Sequence, residues 1–423
     1  MKARANRKGL LAATALVTGL ALSACGGGGF DSDSGGSGGG ESEGSSSDGP
    51  VTLNMLIASS GDAETAAVQD AVKRWGDESG NTVKVTVASD MNQELAQGFA
   101  GGNPPDVFYL DASQFANYAS NGSLYAYGDQ VDEPDDFYQS LRDTFTFDDT
   151  LQCVPKDFST IALEINTDAW KKAGLTDADI PTDWDQLASV AEKLTTGDQV
   201  GLAIGPGIDR AGAFVVGNGG WWLNDDNTEG TADTPEVLDA LQYVQDNLKK
   251  GSFAMSSDLD AGWGGEAFGT GKAAMTIEGN WIKGAMTNDY PDVKYTVAPM
   301  PAGPAGEGTL LFTQCWGIAA QSEAQEQAVD LVDFLTTDEQ QLAFADAFGV
   351  MPSRQSASGD YESKYPEDKP FIEGGDYGHG PITAPGMDQV IADINSKLED
   401  FKGADLASVA KSFDTNADAA LGQ

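Results

Sequence analysis

From residue 51 onward the chain alternates strand-like and helix-like segments, and that alternation limits it to an α/β fold. Residues 51–58 form an apolar run with β-branched members that ends in the turn-like Ser59-Ser60-Gly61-Asp62. Ala67, Val68, Ala71, Val72 and Trp75 then recur at helical spacing, with Asp62 placed near the start as a cap or first-turn acid. Val83, Val85 and Val87 alternate with Lys84 and Thr86, the pattern of a half-buried strand. Residues 93–99 read as helix, Gly101 to Pro105 break it, and residues 106–110 read as another strand. A β-α-β-α-β opening predicts a mainly parallel sheet flanked by helices, with any ligand in the crevice at the strand carboxyl ends. The same grammar returns later. Val237, Leu238, Leu241, Val244 and Leu248 mark a helix stopped by Gly251, residues 273–277 a strand, residues 325–335 an amphipathic helix, and residues 387–398 and 406–421 two more helices. No fixed-period repeat is present, so two α/β lobes are the simplest architecture.

Composition removes several function classes. The 423 residues allow two or three domains, and 66 acidic against 24 basic side chains give a net charge of −42. Such a surface repels phosphate, which excludes a basic nucleic-acid groove. One His and 3 Cys leave nothing to spare for a Cys/His zinc site or a Ser-His-Asp triad, and no cofactor is expected. The N-terminus adds an address. Lys2, Arg4, Arg7 and Lys8 precede an uncharged stretch from Leu10 to Leu22 that is too short to span a bilayer, which needs about 20 residues. The following Leu22-Ser23-Ala24-Cys25 resembles a bacterial lipobox, which implies cleavage before Cys25 and diacylglycerol on its sulfur, with enough acyl chains for stable anchoring. An ordinary secretory peptide is the alternative. Residues 26–50, almost all Gly, Ser and acids, predict a flexible tether. The signal holds four basic and the tether five acidic residues, so the acidity belongs to the body, where it serves solubility. In an exported chain Cys153 and Cys315 remain as an even pair, and a disulfide is expected, buried free thiols being the alternative.

Four segments occur in order: GGNPPDVFYLD at 101–111, VPKDFST at 154–160, GKAAMTIEGNW at 271–281 and GVMPSR at 349–354. Together they closely resemble the extracellular solute-binding proteins of bacterial ABC importers, the sugar-binding family that includes maltose- and trehalose-binding proteins. The resemblance covers essentially residues 51–423. It implies a two-lobed, periplasmic-binding-protein-like fold with a three-segment hinge, whose crossings would fall near residues 158–163, 299–308 and 348–354. The corresponding division is a signal peptide at 1–24, lipidated Cys25 and tether at 25–50, one lobe from 51–158 with 309–350, and another from 159–308 with 351–423.

On individual residues, the resemblance implies an aromatic platform at Trp281 beside Asn280, a second sugar contact at Trp316, and carboxylates on sugar hydroxyls at Asp111 and Asp157. The chemistry is reasonable in itself, because a pyranose has an apolar C–H face for flat aromatic surface and a rim of hydroxyls for ionised carboxylates. Trp221, Trp222, Trp263, Trp281 and Trp316 lie in Gly-rich contexts suited to contact, whereas Trp75, Trp170 and Trp184 lie in helical contexts suited to a core. Alternatives stand beside several of these. Asp111 could cap the helix from Ala112, Asp157 could pair with Lys156, and Arg354 could bond ligand or pin the hinge. Trp263 could serve either role, and Trp221 and Trp222 would supply one ligand contact and one packing residue. His379 lies in a loop that could line the cleft, with nothing marking it as a metal ligand. One departure is visible: similar proteins often read Leu-Tyr-Tyr-Asn after the first crossing, where this chain has Leu163-Glu164-Ile165-Asn166.

The expected function is therefore capture of a mono- or oligosaccharide by lobe closure and delivery to a membrane permease, by a lipid-anchored monomer on the outer face of the cell membrane. No chemistry on the sugar is expected, and the absence of a GxxxxGK[ST] loop places ATP hydrolysis on another subunit. Two rivals are a secreted glycoside hydrolase, which needs carboxylates about 5–9.5 Å apart, and a surface adhesin or sensor.

Overall fold

The computed structural model describes residues 49–422 apart from 60 and 206. The signal segment, Cys25 and all but residues 49 and 50 of the tether lie outside the described residues. Eleven strands are present among them: β1 (Thr52–Ile57), β2 (Thr82–Val87), β3 (Val107–Asp111), β4 (Thr146–Phe147), β5 (Thr150–Leu151), β6 (Val154–Asn166), β7 (Val200–Ile204), β8 (Phe253–Met255), β9 (Ala273–Gly279), β10 (Tyr295–Ala298) and β11 (Leu311–Ile318). The main sheet runs β2-β1-β3-β11-β6-β9-β7-β8, with β10 also on β6. Helices cover its faces, as the alternating pattern requires.

The expected parallel strands are present in two groups. β1 pairs in parallel with β2 and β3, and β7 pairs in parallel with β8 and β9. The sheet as a whole is nevertheless mixed. β11 runs antiparallel to β3 and β6, and β6 runs antiparallel to β9 and β10. The cause is the length of β6, whose 13 residues are nearly all buried. Its first part, Val154 to Thr160, pairs with β11, and its second part, Ile161 to Asn166, pairs with β9 and β10. One strand thus serves two half-sheets. Return passes lie alongside it: β10 ends opposite Leu163, β11 begins opposite Thr160, and Met351 bridges Phe158.

Packing follows the half-sheets. One core is built from residues between Leu53 and Val154 together with Trp316 to Phe344. Another is built from residues between Ile161 and Leu310 together with Ile382 to Ala417. A junction cluster of Tyr138, Phe158, Leu311, Met351, Tyr361 and Phe371 lies between them. Helix signals read from sequence behave as their chemistry requires. Asp62 opens the helix Asp62–Ser79, whose Trp75 is buried and donates its indole N–H to Asp330 at 2.7 Å. Gly251 ends the helix Pro235–Lys250 in the left-handed region, at φ 83°, with its N–H returned to Asn247 and Leu248. Among the described residues no helix is long and apolar enough to cross a membrane.

Cys153 and Cys315 are joined by a disulfide with Cα atoms 5.7 Å apart. Both are fully buried in a cluster with Leu110 and Phe115, within the half that contains β1, β2 and β3. The bridge closes a sequence separation of 162 residues, so chain-entropy reasoning assigns it a stabilisation of about 5 kcal/mol. Thermal unfolding with and without a reductant should show this loss, and thiol labelling of the oxidised, denatured protein should find neither Cys153 nor Cys315 reactive. Labelling of both would contradict the bridge.

Candidate ligand cleft

The residues after β1, the end of β3, the middle of β6 and β11, and the turn after β9 converge on a cleft of about 420 Å3. One wall carries Ser59, Glu64 and Asp111, the floor Asp157, Ser159, Phe312 and Gln314, and the other wall Asn280 and Trp281, with Phe348 to Val350 closing one end. The position follows from the fold, since strand carboxyl ends leave backbone and loops free to face a ligand.

Trp281 is the aromatic surface of this cleft. It is 39% exposed, and among the described residues Val87 is the other large apolar side chain left so open. Its ring lies flat on Gly279, where an added Cβ would come within 2.2 Å of a ring carbon. Phe312 meets it edge-on, with centroids 5.2 Å apart and an interplanar angle of 82°. The indole Nε1–H donates to Glu278 Oε2 at 3.2 Å. Beside it, Asn280 lines the cleft but donates its side-chain amide to the Gly349 carbonyl at 2.7 Å, while its main-chain N–H donates to Ser159 Oγ at 3.1 Å. The turn after β9 is thereby tied to β6 and to the segment after Phe348.

Asp111 takes the capping role read for it and also faces the cleft. Its Oδ1 caps the helix Ala112–Ser120, accepting from the Ser113 N–H at 2.9 Å and the Ser113 hydroxyl at 2.6 Å, and the residue also lines the cleft. Asp157 lines the floor and is paired with Lys156, the alternative named for it. Lys156 is buried, lies 3.5 Å from Glu64 Oε1, and sits over the Tyr109 ring at 4.3 Å. Burial raises the Asp157 pKa, and the Lys156 ammonium offsets only part of that rise. Glu64 in turn accepts the Tyr109 hydroxyl at 3.1 Å.

Four other expected contacts lie elsewhere. Trp316 is fully buried in the core, edge-on to Tyr109 at 5.0 Å. Trp316 shares a face of β11 with Phe312 and Gln314 but lies two residues further along the strand, opposite Tyr109, where the core covers that face; the extra residue at the nearby irregularity, Lys156, belongs to β6. Arg354 is buried and ties down neighbouring backbone. Its guanidinium donates to the carbonyls of Thr336, Glu133 and Asp132 at 2.6, 3.1 and 2.8 Å, and stacks over Phe137. Trp263 is half-buried against Phe268, Ile282 and Met286 and lies outside the cleft lining. Trp221 stacks on His379, with centroids 3.8 Å apart, beside a separate cavity of about 320 Å3 that shares no lining residue with the cleft. Trp222 is the packing member of its pair, fully buried near Phe413.

Sequence reasoning missed Glu64, Arg210, Phe312 and Gln314, none of which carries a local signal. It also missed Glu278 inside a motif already quoted, and read Lys156 only as a partner of Asp157. Behind Trp281, Glu278 is fully buried and accepts from Arg210 at 2.6 Å. Its main-chain N–H donates to Glu164 Oε2 at 3.0 Å, and Glu164 is also fully buried. The one departure noted in the sequence thus lies directly behind the platform.

The model for bacterial extracellular solute-binding proteins matches residues 58–342. The chain belongs to that family. The solute-binding protein is 25% identical over 275 residues to the diacetylchitobiose binding protein DasA of Streptomyces coelicolor, a match that spans 63% of this chain and 64% of that protein. Among solved structures, it is similar to the cyclic alpha-maltosyl-1,6-maltose binding protein from Arthrobacter globiformis, with a TM-score of 0.79, 20% identity, and coverage of 88% of this chain and 99% of that one. It is also similar to UgpB from Mycobacterium tuberculosis in complex with glycerophosphocholine, with a TM-score of 0.74, 22% identity, and coverage of 88% and 98%. At these identities the structures establish a shared fold.

The buried Glu164 gives this solute-binding protein a measurable pH signature. Burial first, and the neighbouring Glu278 second, hold its pKa well above the usual carboxylate range. The folded protein therefore keeps a proton that the unfolded chain loses above about pH 4.3. The stability from that proton is complete below the unfolded pKa and is lost as pH rises toward the folded pKa. Glu164→Gln stays neutral throughout and should lack this slope. Its melting temperature relative to the parent should rise steadily from pH 5 to pH 8, and parallel pH profiles would contradict the assignment.

Proposed function

We propose that this solute-binding protein captures a neutral mono- or oligosaccharide in its cleft and delivers it to the transmembrane permease of an ABC importer. The observation that carries this reading is Trp281, a large aromatic left exposed on the wall of a concave site whose other surfaces offer carboxylate and amide oxygens. Exposed Trp is costly unless a ligand covers it, and the flat C–H face of a sugar is a matching surface. Asp111 and Gln314 supply polar groups for the hydroxyl rim. The sugar ligands named for the relatives support the same class.

In this reading the lobes are residues 51–158 with 309–350 and residues 159–308 with 351–423. They close about β6 and its two companion passes, and the solute favours closure by binding the closed form better. The protein performs no chemistry on the solute. It acts as a monomer outside the cell membrane, held by a lipid on Cys25 and the tether that follows.

A phosphodiester solute, as in the UgpB complex, is the second reading. The charges at the cleft favour a neutral ligand over it. Lys156 is already engaged by Glu64 and Asp157, and Arg210 by Glu278, so neither cation is left to neutralise a phosphate. Hydrolysis is disfavoured similarly, because the carboxylates lining the cleft are already engaged, Glu64 and Asp157 by Lys156 and Asp111 Oδ1 by Ser113.

Thermal unfolding against mono- and oligosaccharides, with glycerophosphodiesters and amino acids as controls, tests the reading. A solute at 100 times its Kd adds about 2.7 kcal/mol of stability. A saccharide should produce such a shift, and Trp281→Ala should weaken its binding by about 2 kcal/mol, roughly 30-fold. A response to a control solute alone would discard the sugar.

A further inference from the structure

We propose that Glu278 and Arg210 are positioning residues that hold the Trp281 indole in the one orientation that presents its face to the cleft. The inference rests on Trp281 being the ligand platform. Glu278 Oε2 accepts both the Arg210 guanidinium at 2.6 Å and the Trp281 Nε1–H at 3.2 Å, so a single carboxylate oxygen joins the cation to the platform. The Arg210 guanidinium lies 5.5 Å from the centroids of both Trp281 and Phe312, the two rings that meet edge-on at the cleft. The indole is thus fixed on its polar edge by Glu278, on its back by the Gly279 main chain and at its corner by Phe312 and Arg210.

The arrangement is poorly suited to stability alone. Two fully buried carboxylates, Glu164 and Glu278, adjoin one guanidinium, and Glu278 Oε1, Glu164 Oε1 and Arg210 Nε are buried with no hydrogen-bond partner among the described residues. Buried ion pairs are commonly no more stabilising than apolar side chains of the same volume, and unpartnered buried polar atoms cost more still. Room has nevertheless been kept for the carboxylate. A Cβ on Gly264 would come within 2.6 Å of Glu278 Oε1, and a Cβ on Gly279 would strike the Trp281 ring. What the costly group does contribute is direction, since Trp281 has one hydrogen-bonding atom and Glu278 captures it. A rigid platform loses less rotamer entropy when a ligand settles on it.

The test separates positioning from bulk stability. Arg210→Met with Glu278→Met removes the pair together at similar volume and leaves no uncompensated buried charge between them, so folding survives. Glu278→Gln keeps an acceptor for the indole and is the conservative control. In protein labelled with 5-fluorotryptophan, the Trp281 fluorine resonance is assigned by its loss in Trp281→Phe. It should be a single line in the parent and in Glu278→Gln, and shifted and broadened or split in the double Met variant. By calorimetry with maltotriose and N,N′-diacetylchitobiose, the double Met variant should bind about tenfold more weakly when Trp281 is present and show no added loss in a Trp281→Ala background. An unchanged Trp281 resonance in the double Met variant, or an affinity loss of equal size without Trp281, would overturn the positioning role. Trp281→Ala binding these sugars as tightly as the parent would instead remove the platform reading, and the fluorine spectrum would still decide whether Glu278 and Arg210 orient the ring.

Discussion

The structure depends on one strand that belongs to both halves of the sheet. β6 pairs with β11 along its first part and with β9 and β10 along its second, so neither half-sheet is complete without it. Its backbone is hydrogen-bonded along almost its whole length, which makes a break costly and a gradual bend or twist cheap. Asp157 and Ser159 project from it into the cleft, while Phe158 and Ala162 pack into the junction cluster. The same residues that join the halves therefore form the floor of the site. Arg354 reinforces this region by holding three backbone carbonyls from two separate segments, which explains why a residue read as a ligand contact is buried away from solvent.

Charge is managed differently at the surface and in the cleft. The exterior is strongly acidic and solvated. At the cleft, each cation is already committed to a carboxylate: Lys156 to Glu64 and Asp157, and Arg210 to Glu278. Among the described residues these pairs leave polar edges for hydroxyls and no spare positive charge at the cleft. Together with the half-exposed indole, they are the features on which the proposed neutral polyhydroxyl solute rests.

Much of this was legible in the sequence because it rests on periodicity and on rare residue types. The alternating pattern gave the parallel strands, two cysteines left in an exported chain gave the disulfide, and the motif around Met275 to Trp281 put Trp281 at the cleft. The mixed sheet was not legible, because a 13-residue strand and two shorter strands look alike when all are apolar. Trp316 was misplaced because it lies just past Gln314 on the same face of β11, opposite Tyr109, where the core and not the cleft covers the strand, and local sequence does not report where along a strand a cleft ends. Arg210 and Glu278 escaped notice for a related reason. On an acidic chain a Glu in a strand and an Arg in a helix read as solvated charges, and only the fold reveals that they meet behind Trp281.

The central claim is that a saccharide held at Trp281 draws the two halves together about β6. Small-angle scattering of the protein, recorded without solute and with each saccharide that stabilises it, addresses this directly. The account predicts a smaller radius of gyration in the bound state, absent at the same sugar concentration in Trp281→Ala. Saturating saccharide binding with no change in radius would contradict capture by closure.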